Sequence, residues 1–487
     1  MNEDLTLDKL LNKIKEYNQN DLETVKKAYN YASFWHENQF RDSGEPYIMH
    51  PLNVAYILAS MHLDVDTICA GLLHDVVEDT NCTLDDVEHE FNPTIRTLVD
   101  GVTKISNIPF ATSREKYLAN TRKIVSSVIK DVRIVIIKLA DRMHNMRTLD
   151  VKAEHKRRKK AYETMDIFVP LAYSLGQYEV KNELEDLSFK YLKEDDYKKT
   201  LELYRKIDRD SRDSLTTMLF TLKESLNKDN IDNNMKTRIK HIYGIYKMLS
   251  QGQKVSEIHD LLNLKIMLNN IPECYLTLGK VHQMYHPIND LFKDYICNPK
   301  TNLYQSLHTT VFAPDERLVQ VQIRTNDMEK VACFGLPAYW DINKEETRAT
   351  MQESLKSQFQ FYNNLKEINS YFSDNEAFVE EVKKELFSKM IYCYTKDGDI
   401  VELPEGSTPI DFAYKIGTDI GNQIFEAYVN DEKVALDTLL QNNDRVKIIT
   451  NIKSFPDESL EDSAYTSKAK RKIKDYNIAM NAIRGRN

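Results

Sequence analysis

The sequence predicts a multidomain protein, an all-α domain followed by an α/β domain and a small β-rich module, and three observations carry that expectation. At 487 residues the chain exceeds what one ordinary core holds; the length allows two to four domains and we expect three. To about residue 195, apolar residues recur at spacings of three and four with Gly and Pro rare, which is the period of amphipathic helices. From about residue 235 the texture changes to short apolar runs that suit strands, such as Leu264-Lys265-Ile266-Met267-Leu268 and Val319-Gln320-Val321-Gln322-Ile323, mixed with helical stretches.

These textures set the expected boundaries: residues 1–195 for the helical domain, 196–345 for the α/β domain and 346–389 for a Glu/Lys-rich helical connector. Residues 390–451 offer two strands joined by Lys396-Asp397-Gly398-Asp399, then a Pro404-Glu405-Gly406 turn and a short helix, and 452–487 form a basic tail. Hydrophobic residues make up 41% and charged residues 29%, with no low-complexity tract, which excludes disordered and fibrous classes. No window approaches eighteen uninterrupted apolar residues, and the start is acidic where a signal peptide would be basic. A cytoplasmic location with no membrane partner is therefore expected. Six cysteines without a Cys-x-x-Cys pair indicate neither a zinc knuckle nor a disulfide framework. A net charge of −9 argues against coating nucleic acid along the whole chain. Basic runs at Lys156–Lys160 and Lys468–Lys474 are local, and the second is expected to be a solvated helix face.

Metal-capable side chains stand at the edges of apolar helical runs in three separated places: His50 before Pro51, the pair His74-Asp75 after Ile68 to Leu73, and Asp141 after Ile134 to Ala140. Alone, such a histidine is more often a hydrogen-bonded core residue and such an aspartate more often a cap. Together they offer two imidazoles and two carboxylates, a mixed set suited to Mn²⁺, Fe²⁺ or Zn²⁺. Glu78 and Asp79 follow the pair by about one helical turn, so at least one carboxylate can act as a base beside such an ion.

The stretches Gly44-Glu45-Pro46-Tyr47-Ile48-Met49-His50-Pro51, Leu73-His74-Asp75-Val76-Val77-Glu78-Asp79-Thr80 and Lys138-Leu139-Ala140-Asp141-Arg142-Met143-His144-Asn145-Met146-Arg147-Thr148 closely resemble the RelA/SpoT homologue family. The resemblance covers roughly residues 10 to 475. It implies that the helical domain is an HD-type hydrolase that removes the 3′-pyrophosphate of ppGpp or pppGpp to leave GDP or GTP, in control of the stringent response. It further implies that His50, His74, Asp75 and Asp141 hold Mn²⁺, that Glu78 and Asp79 assist the attacking water, and that Arg41, Ser43, Asn145, Thr148 and Arg158 lie near bound nucleotide. Arg41, Lys104, Arg147 and the Lys156–Lys160 run are candidates for neutralising the two pyrophosphates. One departure stands out: the family's Arg-Lys-Ser-Gly is here Arg41-Asp42-Ser43-Gly44, with aspartate for a lysine expected to pack on the guanine.

The resemblance continues through Arg238-Ile239-Lys240-His241, Asp260-Leu261-Leu262, Phe292-Lys293-Asp294-Tyr295 and Tyr304-Gln305-Ser306-Leu307-His308-Thr309. These belong to the family's nucleotidyltransferase-like synthetase, which moves pyrophosphate from ATP to the 3′-hydroxyl of GDP or GTP. Asp260 would be its Mg²⁺ ligand and Tyr304 its guanine-stacking ring, with Arg238, Lys240 and His308 in the same set. A family glutamate is here Gln320, whose amide binds Mg²⁺ more weakly than a carboxylate and cannot accept a proton. Leu291 replaces an arginine, Gly335-Leu336-Pro337-Ala338-Tyr339-Trp340 lacks the family's histidine, and the tyrosine-rich stretch before Lys247 is one basic residue short. These departures predict a folded synthetase-like domain with weak or absent synthesis, and Mg²⁺ only if that site works.

Leu403 to Tyr414 resembles the TGS domain, a small β-grasp module. The family's Ile-His-Thr triplet reads Ile416-Gly417-Thr418, and glycine offers no ring to stack on a base, which argues against tRNA sensing and ribosome contact and for a docking or autoinhibitory module. Two other readings stand beside hydrolysis: a bifunctional enzyme in which another carboxylate compensates for Gln320, and a non-enzymatic alarmone-binding regulator.

Overall fold

The computed structural model describes residues 5–18, 20–103, 112–300, 302–335, 338 and 360–484. The expectations for Lys104, Leu336, Pro337, Tyr339, Trp340 and connector residues 346–359 fall outside these residues. The chain forms two compact units, Met1–Lys104 with Lys130–Phe359, and Ile105–Ile129 with Gln360–Asn487. No described helix is long and apolar enough to cross a membrane.

The first unit opens with helices α1 (Leu7–Lys15), α2 (Leu22–Trp35), α3 (Met49–Ser60), α4 (Val65–Leu73), the single turn α5 (Val76–Asp79), α6 (Leu84–Glu90) and α7 (Pro93–Val102). After α8 (Ser113–Lys130), whose residues up to Ile129 belong to the second unit, come α9 (Val132–Arg147), α10 (Glu154–Glu163), α11 (Val169–Ser174) and α12 (Tyr178–Leu192). Short polar side chains start these helices where the sequence supplies them. Asp64 accepts from Thr67 N–H ahead of α4, Asn92 precedes Pro93 at α7, and Asp131 caps α9. Helices α4 and α9 are buried on nearly every side, which makes them the inner helices of the layer. Their N-termini are tied by the buried Arg133, which pairs with Asp131 at 2.7 Å and Asp64 at 3.3 Å. That tie fixes how the far end of α4 faces the middle of α9.

The same unit continues with α13 (Glu194–Lys228), β1 (Asn234–Ile239), α14 (Ile242–Ser250), β2 (Leu262–Leu268), α15 (Ile271–Met284), β3 (Lys293–Asp294), β4 (Leu307–Phe312), β5 (Leu318–Thr325) and α16 (Asn326–Phe334). The sheet order is β1-β2-β5-β4-β3, with β2 and β5 parallel and the other pairs antiparallel. Both expected strands fall within β2 and β5. All seven β2 residues are buried, as a central strand covered on both faces requires, while β5 turns Val319, Val321 and Ile323 into the core and Gln320 and Gln322 to the other face. Gly335, with φ +63°, ends α16 against the end of α11, and a Cβ there would lie 2.1 Å from the Leu175 carbonyl oxygen and 2.8 Å from the Gly176 carbonyl carbon. Gly335→Ala is expected to lower unfolding stability by on the order of 3 kcal/mol, from backbone overlap plus the left-handed φ; an unchanged urea midpoint would contradict this.

In the second unit, α8 packs with α17 (Gln360–Tyr371) and α18 (Asn375–Glu385). Arg122 donates to the Ser373 and Phe372 carbonyls, both at 2.6 Å, and lies 4.7 Å over the Phe378 ring. It thereby satisfies carbonyls left open at the end of α17. The β-rich module has a hairpin of β6 (Met390–Tyr394) and β7 (Ile400–Pro404), then α19 (Pro409–Ile416), α20 (Thr418–Asn422), β8 (Ile424–Val429), β9 (Glu432–Val434) and β10 (Val446–Thr450), the last three forming a sheet of order β10-β8-β9. Helices α21 (Glu458–Ser463) and α22 (Ser467–Arg484) follow. The tail was expected to be a solvated face, but α22 buries Ala469 and Ile473 against Ile410 and Tyr414. Apolar residues four apart amid the lysines give it a packed side.

Candidate metal centre

His50 lies in the first turn of α3, His74-Asp75 forms the break between α4 and α5, and Asp141 projects from α9. His50 Nε2 is 3.2 Å from Asp141 Oδ1 and 3.5 Å from Asp75 Oδ2; His74 Nε2 is 3.1 Å from Asp75 Oδ2 and 3.8 Å from Asp141 Oδ1. The ligand atoms of His50, His74 and Asp141 all lie within 4.8 Å of one another. Donors about 2.1 Å from a shared tetrahedral ion sit roughly 3.4 Å apart, so these spacings suit one cation.

The hydrogen bonds behind the rings support the same reading. His74 Nδ1 is 2.8 Å from the Gly71 carbonyl oxygen, which requires the proton on Nδ1 and leaves the Nε2 lone pair facing the carboxylates. That Nε2 is buried and has no hydrogen-bond partner, as a metal-facing nitrogen would be. His50 Nδ1 meets His144 Nδ1 at 2.8 Å and likewise turns Nε2 to the cluster. The residues present therefore fit a divalent ion.

Burial lowers the His50 pKa, against the pull of Asp141 and Asp75. Burial also opposes charging of His74, but the Asp75 and Asp141 carboxylates outweigh it and raise that pKa. Both carboxylates would be raised by burial, yet they are held well below the ordinary range, Asp75 by His74 and His50, and Asp141 by His50, Lys138 and His74. His144 is pushed down to about 2 by burial, then by His50 and Arg41, so it stays a neutral partner of His50.

Around this cluster, Asn145 Nδ2 donates to Asp141 Oδ1 at 2.5 Å, and Arg41 Nη2 donates to Asn145 Oδ1 at 3.0 Å. Arg41 Nη1 is buried without a partner. Asp79 Oδ2 is 2.8 Å from the Tyr47 hydroxyl, which also lies 2.9 Å from Asp75 Oδ2. Glu78 stands beside Asp79 on α5. Thr148 donates its hydroxyl to the His144 carbonyl at the end of α9, and Ser43 is exposed with its hydroxyl 3.1 Å from Glu45. Arg158 is exposed on α10, and Arg147 is paired with Glu183 at 2.5 and 2.8 Å. Asp42 forms an ion pair with Lys152. Sequence reasoning gave no role to Tyr47 or His144. His144 follows Asp141 by three positions on one helix, a spacing that puts both on one face and could have flagged it.

Of the synthetase-like residues, Arg238, His308 and Gln320 lie on strands β1, β4 and β5 of the first unit, while Lys240 follows β1, Asp260 precedes β2 and Tyr304 precedes β4. Lys240 is ion-paired with Asp260. Gln320 Oε1 accepts from Gln322 Nε2 at 2.8 Å, Gln322 Nε2 also reaches Asn263 Oδ1 at 3.2 Å, and Arg324 donates to Gln322 Oε1 at 2.7 Å. Arg238 pairs in register with Asn263 across β1 and β2. Tyr304 is buried, its hydroxyl 2.7 Å from His308 Nε2. Of Arg238, Lys240, Asp260, Tyr304, His308 and Gln320, Asp260 alone carries a carboxylate.

Profiles of known families match in the order that this geometry leads one to expect. The HD domain matches residues 28–178, the region found in RelA / SpoT proteins matches 237–347, and the TGS domain matches 391–450. The guanosine-3′,5′-bis(diphosphate) 3′-pyrophosphohydrolase of Aquifex aeolicus is 38% identical over 475 residues, which are 97% of this chain and 67% of that protein. The bifunctional (p)ppGpp synthase/hydrolase SpoT of Escherichia coli is 39% identical over 458 residues, 94% of this chain and 65% of the relative. The GTP pyrophosphokinase of Myxococcus xanthus is 39% identical over 460 residues, and this chain spans 60% of its length. With three matched domains in sequence and similarity along almost the whole chain, the protein belongs to the RelA/SpoT homologue family.

Proposed function

We propose that this protein hydrolyses (p)ppGpp at the 3′-pyrophosphate, giving GDP or GTP plus pyrophosphate, with Mn²⁺ as the resident ion and little or no synthesis. The observation that carries this reading is the clustering of the His50 and His74 imidazoles and the Asp141 carboxylate within 4.8 Å of one another, with Asp75 Oδ2 3.5 Å from His50 Nε2 and 3.1 Å from His74 Nε2 and with no hydrogen bond taken up by His74 Nε2. Two of the relatives bear the names of hydrolases or synthase/hydrolases. We assign the hydrolase to residues 1–195, the degenerate synthetase to 196–345 and the TGS module to 390–451.

His50, His74, Asp75 and Asp141 would hold the ion. Once bound, a divalent ion supplies a lowered water pKa and polarises the phosphoryl group under attack. Asp79 or Glu78 takes a proton from the attacking water as its oxygen bonds to phosphorus, the bond from phosphorus to the 3′ oxygen breaks, and the same carboxyl group returns that proton, directly or through water, to the departing 3′ oxygen. Arg41, with an open Nη1, offsets the phosphate charge, while Ser43, Thr148 and Arg158 edge the nucleotide. Asn145 holds Asp141 and Arg41 in register.

Purified protein given ppGpp under Mn²⁺, Mg²⁺ and chelator tests the reading. Pyrophosphate release with Mn²⁺, abolished by chelation and restored by Mn²⁺, is expected. Nucleotide binding without turnover under every metal would favour a non-enzymatic regulator instead.

A further inference from the structure

We propose that Tyr47 is a positioning residue that holds the Asp79 carboxylate beside the ion-binding cluster, an inference that rests on the hydrolase reading. Asp79 closes the four-residue turn α5 and is exposed, so packing does little to fix its side chain. The Tyr47 hydroxyl lies 2.8 Å from Asp79 Oδ2 and 2.9 Å from Asp75 Oδ2. One phenolic proton shared by two carboxylates keeps the two within reach of a single oxygen, which ties an exposed base to a buried ligand.

The tyrosine is itself fixed from behind. Its backbone N–H donates to the Gln39 carbonyl at 2.9 Å, and its ring lies against the buried His36, with centroids 4.6 Å apart. His36 Nδ1 is 2.8 Å from Gln39 Oε1, and Gln39 Nε2 donates to the Asp79 backbone carbonyl at 3.0 Å. His36, Gln39, Asp79 and Tyr47 thus close a ring of contacts that grips both the backbone and the side chain of Asp79. This wall belongs to the segment before α3, and the metal ligands alone give no reason for it.

Tyr47→Phe keeps the ring stack and removes the hydroxyl. In the Mn²⁺-loaded protein, kcat for ppGpp is expected to fall about 10- to 100-fold, with KM within about twofold, because a displaced base affects the chemical step more than binding. The Mn²⁺ content after desalting and the circular-dichroism melt are expected to match wild type. In an Asp79→Asn background the same substitution should cost no more than about twofold, because its effect runs through Asp79. A wild-type kcat, a loss reversed by excess Mn²⁺, or additive losses in the double variant would each overturn the proposal. Wild-type protein that releases no pyrophosphate would defeat the hydrolase reading itself, whereas normal turnover by Tyr47→Phe would defeat only the role of Tyr47.

Discussion

His74→Ala or Asp75→Ala is expected to reduce ppGpp turnover by roughly a thousandfold or more, the loss of several kcal/mol that a bound metal contributes to the transition state. The size of the effect follows from how few donors are present. Removing His74 deletes one of two nitrogens and also strips Asp75 of its contact at 3.1 Å, leaving the Asp75 and Asp141 carboxylates with His50 alone between them. Removing Asp75 leaves His74 Nε2 with the more distant Asp141. The fold should survive either change, since α3, α4 and α9 are held by their buried apolar faces and by the Arg133 pairs, remote from the cluster. Pyrophosphate release together with a far-ultraviolet circular-dichroism spectrum measures both halves; retained turnover would contradict the account, as would spectra showing that activity was lost only through unfolding.

The second large effect is an absence of product. With ATP, GDP and Mg²⁺, wild-type protein is expected to form no sustained ppGpp, a deficit of roughly 10² to 10⁴-fold for a lost general base alone. Gln320 is engaged with Gln322 in an amide network along β5, and Asp260, ion-paired with Lys240, is the one carboxylate among these residues to recruit Mg²⁺. Gln320→Glu should raise synthesis measurably but not restore it fully, because Leu291 still stands where the family has a cation. Continuous ppGpp formation by the unaltered protein would refute the degenerate-synthetase reading.

What the sequence made legible divides along a physical line. The proposed ligands could be named because each lies in a long local motif, and β2 and β5 were legible because strand burial leaves a local apolar pattern. Tyr47 gained its role from a distance bridging 28 positions, which no local period encodes, and His144, although its spacing from Asp141 marks the shared helix face, meets His50 across 94 positions. The same holds for α8. Its amphipathic pattern announces a helix with an apolar side but not the partner, and Arg122 finds its carbonyls some 250 residues away. The basic tail misled for a related reason: the lysines dominate its composition, while the two residues that dock it, Ala469 and Ile473, are small in number and decisive in packing.

The claim that four side chains share one cation is tested most directly by anomalous diffraction from crystals soaked in Mn²⁺. The account predicts a single peak bonded to His50 Nε2, His74 Nε2 and carboxylate oxygens of Asp75 and Asp141. A peak at any other site, or none in crystals of protein that still turns over ppGpp, would contradict it.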